Sequence, residues 1–383
     1  MVYFDNAATT FPKPEKVYNF MDDFYRNYGA NAGRGSYKKA NKAFQLIENT
    51  REKLSLIFDI DNKEKKEIIF TSSATMSINL ILQGYDWKRG DVLYYSPFEH
   101  NAVLRNIYQL KEKYDIELKK IPVNTETLEF EIDSLQNMFN TDPPTFITTT
   151  HTSNVCGSIS PIQKIANLSN KYDADILVDA AQSAGIVNLN LKNIDYFIWS
   201  GHKSLYGPFG VAGFVIDNDA PIPEPLLYGG TGSESASKRM PDTLPLKFEA
   251  GSKNIMAIAG LNAALKWIEE VGSKEIYNHD KKIINKLLEG LNEFLDVELF
   301  VPNNLDEHFN VISAKFKNYN SIDFAKILDN KFDIAVRSGL HCSPKAHELL
   351  GTSPNGLVRF SVSYFNTEEE IDYLLDSLES III

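Results

Sequence analysis

The chain has 383 residues, 43% hydrophobic and 23% charged, with a net charge of −12. This length exceeds one small core and predicts two domains sharing an interface. The acidic balance argues against nucleic acid or an anionic membrane as the main partner. No apolar run reaches the roughly 18 residues of a membrane-spanning helix. Met1 to Thr10 has neither a basic nor an apolar leader segment, so the expected location is the cytoplasm. Two cysteines, Cys156 and Cys342, do not make a disulfide framework.

In chain order, a short apolar run at Glu67 to Phe70 leads through a polar turn into a helical pattern from Thr75. Val92 to Tyr95 reads as a strand, followed by a helix from about Asn101. Phe146 to Thr150, Asp175 to Asp179, Asp195 to Trp199 and Val211 to Ile216 also read as strands. Short apolar strands alternating with helices predict an α/β fold with a mostly parallel sheet covered on both faces. Ligands in such sheets bind at the carboxyl ends of the strands. Thr71 to Thr75, His100, Asn154, Asp179 and Ser200 to Lys203 all lie at or just after predicted strand ends, which points to one shared crevice.

From about Ile255 a long helical stretch runs to Leu295. A strand at Phe309 to Lys315, a helix, a strand at Val358 to Ser363 and a last helix follow. Thr367 and Glu370 form a capping box for that helix, and Ile371, Leu374, Leu375 and Leu378 share one face. The expected division is a large domain over 15–260 and a smaller α+β domain made of 1–14 and 261–383.

Lys203 follows an apolar strand and precedes the tight segment Tyr206-Gly207-Pro208-Phe209-Gly210. An isolated loop lysine is usually a solvated charge. One desolvated at a crowded turn becomes nucleophilic toward an aldehyde. Asp179 ends a buried strand, where a carboxylate needs a cation. The protonated ring nitrogen of pyridoxal phosphate is such a partner, and it makes that cofactor an electron sink. Gln182, one turn on, can reach the phenolic oxygen. The turn Thr71 to Thr75 offers hydroxyls, N–H groups and a positive helix end to a phosphate, although Ser/Thr-rich turns are commonly just caps. Ser200 and His202 add donors. His100 can stack on a flat ring, or simply begin a helix.

These segments together resemble the cysteine desulfurases of the class V aminotransferase family, pyridoxal-phosphate fold type I. The resemblance spans nearly the whole chain. It rests on Tyr3-Phe4-Asp5-Asn6-Ala7-Ala8-Thr9-Thr10, Glu99-His100-Asn101, His151 to Val155, Val178-Asp179-Ala180-Ala181-Gln182, Ser200-Gly201-His202-Lys203, Phe248 to Ser252 and Arg337 to Cys342. It implies a mostly parallel seven-stranded sheet flanked by helices, beside a smaller α+β domain. It implies that Lys203 forms the Schiff base, His100 stacks on the ring, Asp179 binds the ring nitrogen and Gln182 the phenolic oxygen. Ala74, Thr75, Ser200 and His202 would surround the phosphate, with Thr231 completing that site from the other subunit of a homodimer. Asn154 would lie near cofactor and substrate, and Arg359 would clamp the substrate carboxylate. Cys342 would attack the sulfur of bound L-cysteine and carry it as a persulfide toward an acceptor protein, as in iron–sulfur cluster assembly, with alanine as the other product. Arg337 or His341 would favour its thiolate. No metal is implied. Cys156 reads as packing.

Ala74 stands where one branch of the family has a second hydroxyl, and Ser343 to His347 differ from the best-known desulfurases. Two alternatives remain open at this point: a selenocysteine lyase or other class V enzyme, and a non-catalytic sulfur carrier. Arg34, in Gly33-Arg34-Gly35, is either a site residue or a loop charge.

Overall fold

The computed structural model describes residues 1–32, 37–60, 66–232 and 236–382; Arg34 lies outside them. Seven strands form the main sheet, in the order Lys66–Thr71, Ala212–Asp217, Tyr196–Ser200, Asp175–Asp179, Phe146–Thr150, Val92–Tyr95, Glu117–Lys120. The pairings from Tyr196–Ser200 through to Glu117–Lys120 are parallel. Ala212–Asp217 is antiparallel to both of its neighbours. Every residue of Phe146–Thr150 and Tyr196–Ser200 is buried, as expected for strands covered on both faces.

One face of this sheet carries Ile147, Ile176, Val178, Phe197 and Trp199, against helices Glu15–Tyr28, Lys38–Ile57 and Ile255–Val271. The other face carries Phe146, Leu177, Tyr196, Ile198 and Phe214, against helices Ala74–Gly84 and Asn101–Tyr114. The loop after Tyr196–Ser200 begins at Gly201. A Cβ there would lie 2.5 Å from the Val211 carbonyl oxygen, so glycine alone lets this turn hug the neighbouring strand.

A second apolar core gathers Phe4, Ile284, Leu287, Ile312, Phe360 and Leu374. Its sheet has the order Arg337–Gly339, Leu357–Ser361, Val311–Phe316, Val297–Phe300, with all pairs antiparallel. A parallel pair, Val2–Tyr3 with Ile334–Ala335, brings the N-terminus into this region. The helical stretch expected from about Ile255 to about Leu295 is two helices, Ile255–Val271 and Ser273–Asn292. Gly272 interrupts it with φ of 94°, a conformation closed to most side chains. The first helix packs with the large sheet through Ile268, and along the second the core changes between Ile276 and Ile283. The capping box forms, with the Glu370 N–H donating to Thr367 Oγ1 and the Thr367 N–H donating to Glu370 Oε2, both at 3.3 Å. Among the described residues, no helix is long and apolar enough to cross a membrane.

Candidate active site

The parallel strands end on one side of the sheet, and the residues expected in the crevice collect there. Asp179 closes its strand and is buried. Its Oδ1 accepts the Ala181 N–H at 3.0 Å, the one side-chain hydrogen bond it makes among the described residues. Burial pushes its carboxyl above the usual range, a tendency the Lys203 charge opposes. Lys203 lies one strand further along the chain, in the loop after Ser200. Burial lowers its amine toward the neutral, nucleophilic form, and Asp179 acts the other way. The charges of Arg359, Cys342 and Asp5 also act on it, so one neighbourhood holds five of these groups.

His100 caps helix Asn101–Tyr114, its Nδ1 accepting the Ala102 N–H at 3.0 Å. This bond fixes the neutral tautomer with the proton on Nε2. Burial, then the charges of Lys203, Arg105 and Arg359, lowers its pKa to about 4. The helix-start expectation is met: one ring nitrogen is spent on the helix and the other stays a donor. His202 stacks on Phe209 at 4.4 Å between ring centroids, and its buried Nδ1 has no partner. Burial lowers it to about 3, so it is a neutral ring with one N–H. Ser73 caps helix Ala74–Gly84 by accepting from Met76 N–H, which leaves Ala74 and Thr75 at the helix's positive end. Gln182 Nε2 donates to the Ala7 carbonyl at 2.9 Å. Thr231 lies at the end of an exposed run, 226–230.

Arg359 is 3% exposed, on strand Leu357–Ser361. Its Nη1 donates to the Asn154 carbonyl at 3.0 Å and its Nη2 to Asp5 Oδ1 at 2.7 Å, while its buried Nε has no partner. Asn154 Nδ2 donates to the His341 carbonyl at 2.7 Å, and Ser343 Oγ to Asn154 Oδ1 at 2.8 Å. The Asn101 N–H donates to the Cys342 carbonyl at 2.7 Å. These bonds fix a loop in which His341 and Cys342 both have positive φ, 48° and 58°, a costly pairing for non-glycine residues. Cys342 is exposed, whereas Cys156 is buried among Phe98, Val155 and Leu357.

His341 is buried and held well below its ordinary pKa by burial and then by Arg359, so it carries no charge to offer the thiol. The charges that act on the Cys342 side chain belong to Lys203 and Arg359.

Sequence reasoning gave no role to Asp5, Glu99 or Lys13. Glu99 is fully buried, with neither carboxyl oxygen partnered, and burial and Asp179 hold it well above its ordinary pKa. Lys13 Nζ donates to the His202 carbonyl at 2.7 Å and to Thr10 Oγ1 at 2.6 Å, and burial lowers it to about 7. Nothing in the local sequence announces either burial. Asp5 stood inside a recognised motif and could have been flagged there.

The unspent groups describe what fits. A buried carboxylate short of a cation, a lysine inclined to neutrality, an orphaned imidazole nitrogen and the positive end of helix Ala74–Gly84 suit a flat, protonated heteroaromatic aldehyde bearing a phosphate. Among the described residues, no group of three or more metal-ligating side chains gathers.

The class-V aminotransferase family model matches residues 2–374. A probable cysteine desulfurase of Pyrococcus abyssi is 32% identical, covering 100% of this chain and 94% of its own. A cysteine desulfurase of Escherichia coli is 30% identical, with 100% and 93% covered. The apo structure of a cysteine desulfurase from Thermococcus onnurineus superposes with a TM-score of 0.90 at 31% identity, covering 100% of this chain and 94% of that one. With a family match over nearly its full length and a shared fold, this chain belongs to the class-V aminotransferase family.

Proposed function

We propose that the chain is a pyridoxal-phosphate-dependent cysteine desulfurase that converts L-cysteine to L-alanine and takes the sulfur on Cys342. The observation that carries this reading is the fixed loop. Hydrogen bonds from Asn101 and Asn154 pin it so that an exposed thiol shares one electrostatic neighbourhood with Lys203 and Arg359. The names of the relatives support it.

Lys203, Asp179, Gln182, His100, Asn154, Thr75, Ser200, His202 and the Ala74 end of its helix would hold the cofactor. Pyridoxal phosphate supplies an aldehyde for the substrate amine and a protonated ring that draws electrons from Cα. Asp179 would hold the proton on the ring nitrogen. Lys203 takes the Cα proton, which its lowered basicity suits. Arg359 binds the α-carboxylate with its remaining N–H groups. The Cys342 thiolate attacks the substrate sulfur: an S–S bond forms, Cβ–S breaks, and its electron pair stays with the carbon fragment. Cβ then gains a proton, Lys203 returns one to Cα, and alanine leaves, with the persulfide on Cys342.

Residues 15–260 would form the cofactor domain, with 1–14 and 261–383 the smaller domain that carries Arg359 and Cys342. The separate core around Phe4 and Phe360 supports this division, although helix Ile255–Val271 crosses the boundary and packs with the large sheet. Thr231 would complete the phosphate site of a partner subunit in a homodimer. A protein acceptor, as in iron–sulfur assembly, would take the sulfur. An exposed working thiol requires a reducing compartment, and the cytoplasm is one.

The test loads the protein with pyridoxal phosphate and supplies L-cysteine with a reductant. Alanine and sulfide should form in equal amounts, and Lys203→Ala should abolish both. Cofactor uptake without alanine would sink the desulfurase reading. A strong preference for selenocysteine would redirect it to a lyase.

A further inference from the structure

Arg359 and Arg337 face each other across antiparallel strands Leu357–Ser361 and Arg337–Gly339. Like charges at such a pair repel, and Arg359 is nearly fully buried. Asp5 lies between them, 2.7 Å from Arg359 Nη2 and 3.7 Å from Arg337 Nη1. Its backbone leaves it little freedom. Phe4 N–H donates to the Ala335 carbonyl at 2.8 Å, Ser361 N–H to the Phe4 carbonyl at 2.7 Å, and Ala7 N–H to Ser361 Oγ at 2.9 Å. Phe4 itself is buried in the second core. The carboxylate is therefore held against the strand that bears Arg359.

The guanidinium has five N–H donors. Asn154 and Asp5 each accept one, and Nε, though buried, has no acceptor. An unmatched buried donor is costly, which marks the place of a missing acceptor. Two arginines and one aspartate leave a net single positive charge, which one carboxylate neutralises.

We propose that Asp5 is a positioning residue for substrate recognition: it fixes Arg359 so that the unspent Nε–H edge meets the α-carboxylate of an amino-acid substrate. Asp5 itself touches neither substrate nor cofactor. Without it, Arg359 is free to swing from Arg337 and loses its fork geometry. The proposal rests on the reading of Arg359 as the carboxylate clamp.

The experiment uses the cofactor-loaded protein and two probes that differ by one carboxylate, L-alanine and ethylamine. Binding is read from the visible absorbance of the bound cofactor, in wild type, Asp5→Asn, Asp5→Glu and Arg359→Lys. Asp5→Asn should weaken L-alanine roughly tenfold, the scale of one charge-assisted contact, and leave ethylamine unchanged. Asp5→Glu should recover part of that loss. With L-cysteine, KM should rise while kcat holds within about threefold, the pattern of lost uniform binding. Equal weakening of both probes, or none, overturns the proposal. If Arg359→Lys reduces L-alanine binding and Asp5→Asn does not, Asp5 alone loses its role. If Arg359→Lys also leaves the L-alanine to ethylamine ratio unchanged, the clamp reading falls with it.

Discussion

Asp179 and Ser200 end strands buried at all but one position, while Cys342 stands in a loop with two consecutive left-handed residues and an exposed thiol. The first region takes its positions from the sheet. Parallel register between Phe146–Thr150, Asp175–Asp179 and Tyr196–Ser200 sets Asp179 and the Lys203 loop side by side. The second region takes its position from side chains: Asn154, Ser343 and the Asn101 N–H hold a backbone that its own residues disfavour. A floor built from strands tolerates little variation, whereas the loop's position depends on a few individual hydrogen bonds. The comparison predicts that damage to the floor removes cofactor chemistry altogether, and that damage to the loop removes sulfur transfer alone.

The largest effect should come from the floor. Lys203→Ala removes the nucleophile and the proton carrier together, and alanine formation should fall by roughly 10⁴-fold or more. The visible absorbance of the bound cofactor should change with it. Cys342→Ala comes next. Persulfide on the protein should vanish in a mass measurement, while cofactor uptake and its absorbance stay as in wild type. If Cys342→Ala alters the cofactor spectrum as Lys203→Ala does, the two regions are not separable in the way argued.

Ser343→Ala probes the loop's restraints more gently. It removes the 2.8 Å bond to Asn154 and leaves Asn154 Oδ1 to be satisfied by water. One neutral hydrogen bond is worth about 1 kcal/mol, so persulfide formation should slow about fivefold with cofactor affinity unchanged. An unaltered rate would mean that the Asn101 and His341 contacts suffice to hold Cys342.

The same contrast explains what could be read from sequence. Asp175–Asp179 was legible because Ile176, Leu177 and Val178 form an apolar run closed by a carboxylate. Val92–Tyr95 was legible as a short apolar and aromatic run, and Phe146–Thr150 as a β-branched one. The helix break at Gly272 was not legible, since a lone glycine within an apolar period also occurs inside helices. The role of Asp5 was hidden for a different reason: its partner Arg359 lies 354 residues away, and the pairing exists only once the N-terminal strand joins the second domain. His341 was expected as a possible cation, but its burial, a property of the folded loop, makes it neutral. Local pattern shows which segments become strands. Charge state and long-range ion pairs depend on what those strands bring together.

The last effect concerns the floor's histidine and acts on stability, with no step of the reaction involved. His100 is shifted from 6.5 to about 4 by burial and by the nearby cations Lys203, Arg105 and Arg359. Since the folded value lies below the unfolded one, the native ring binds fewer protons than the unfolded chain between these limits. The stability this group contributes is therefore present above pH 6.5 and lost as pH falls through 4. In the cofactor-free protein, where this charge set applies, His100→Gln removes that dependence while its amide can still serve the helix start. Denaturant unfolding measured from pH 7 down to 4 should show wild type losing stability faster than the variant, by on the order of 2 kcal/mol over the window. An imidazole carbon resonance should titrate near 4 in parallel. Parallel stability curves with an ordinary titration would mean that His100 is solvated, and that the floor is less closed against water than Asp179 and Lys203 require.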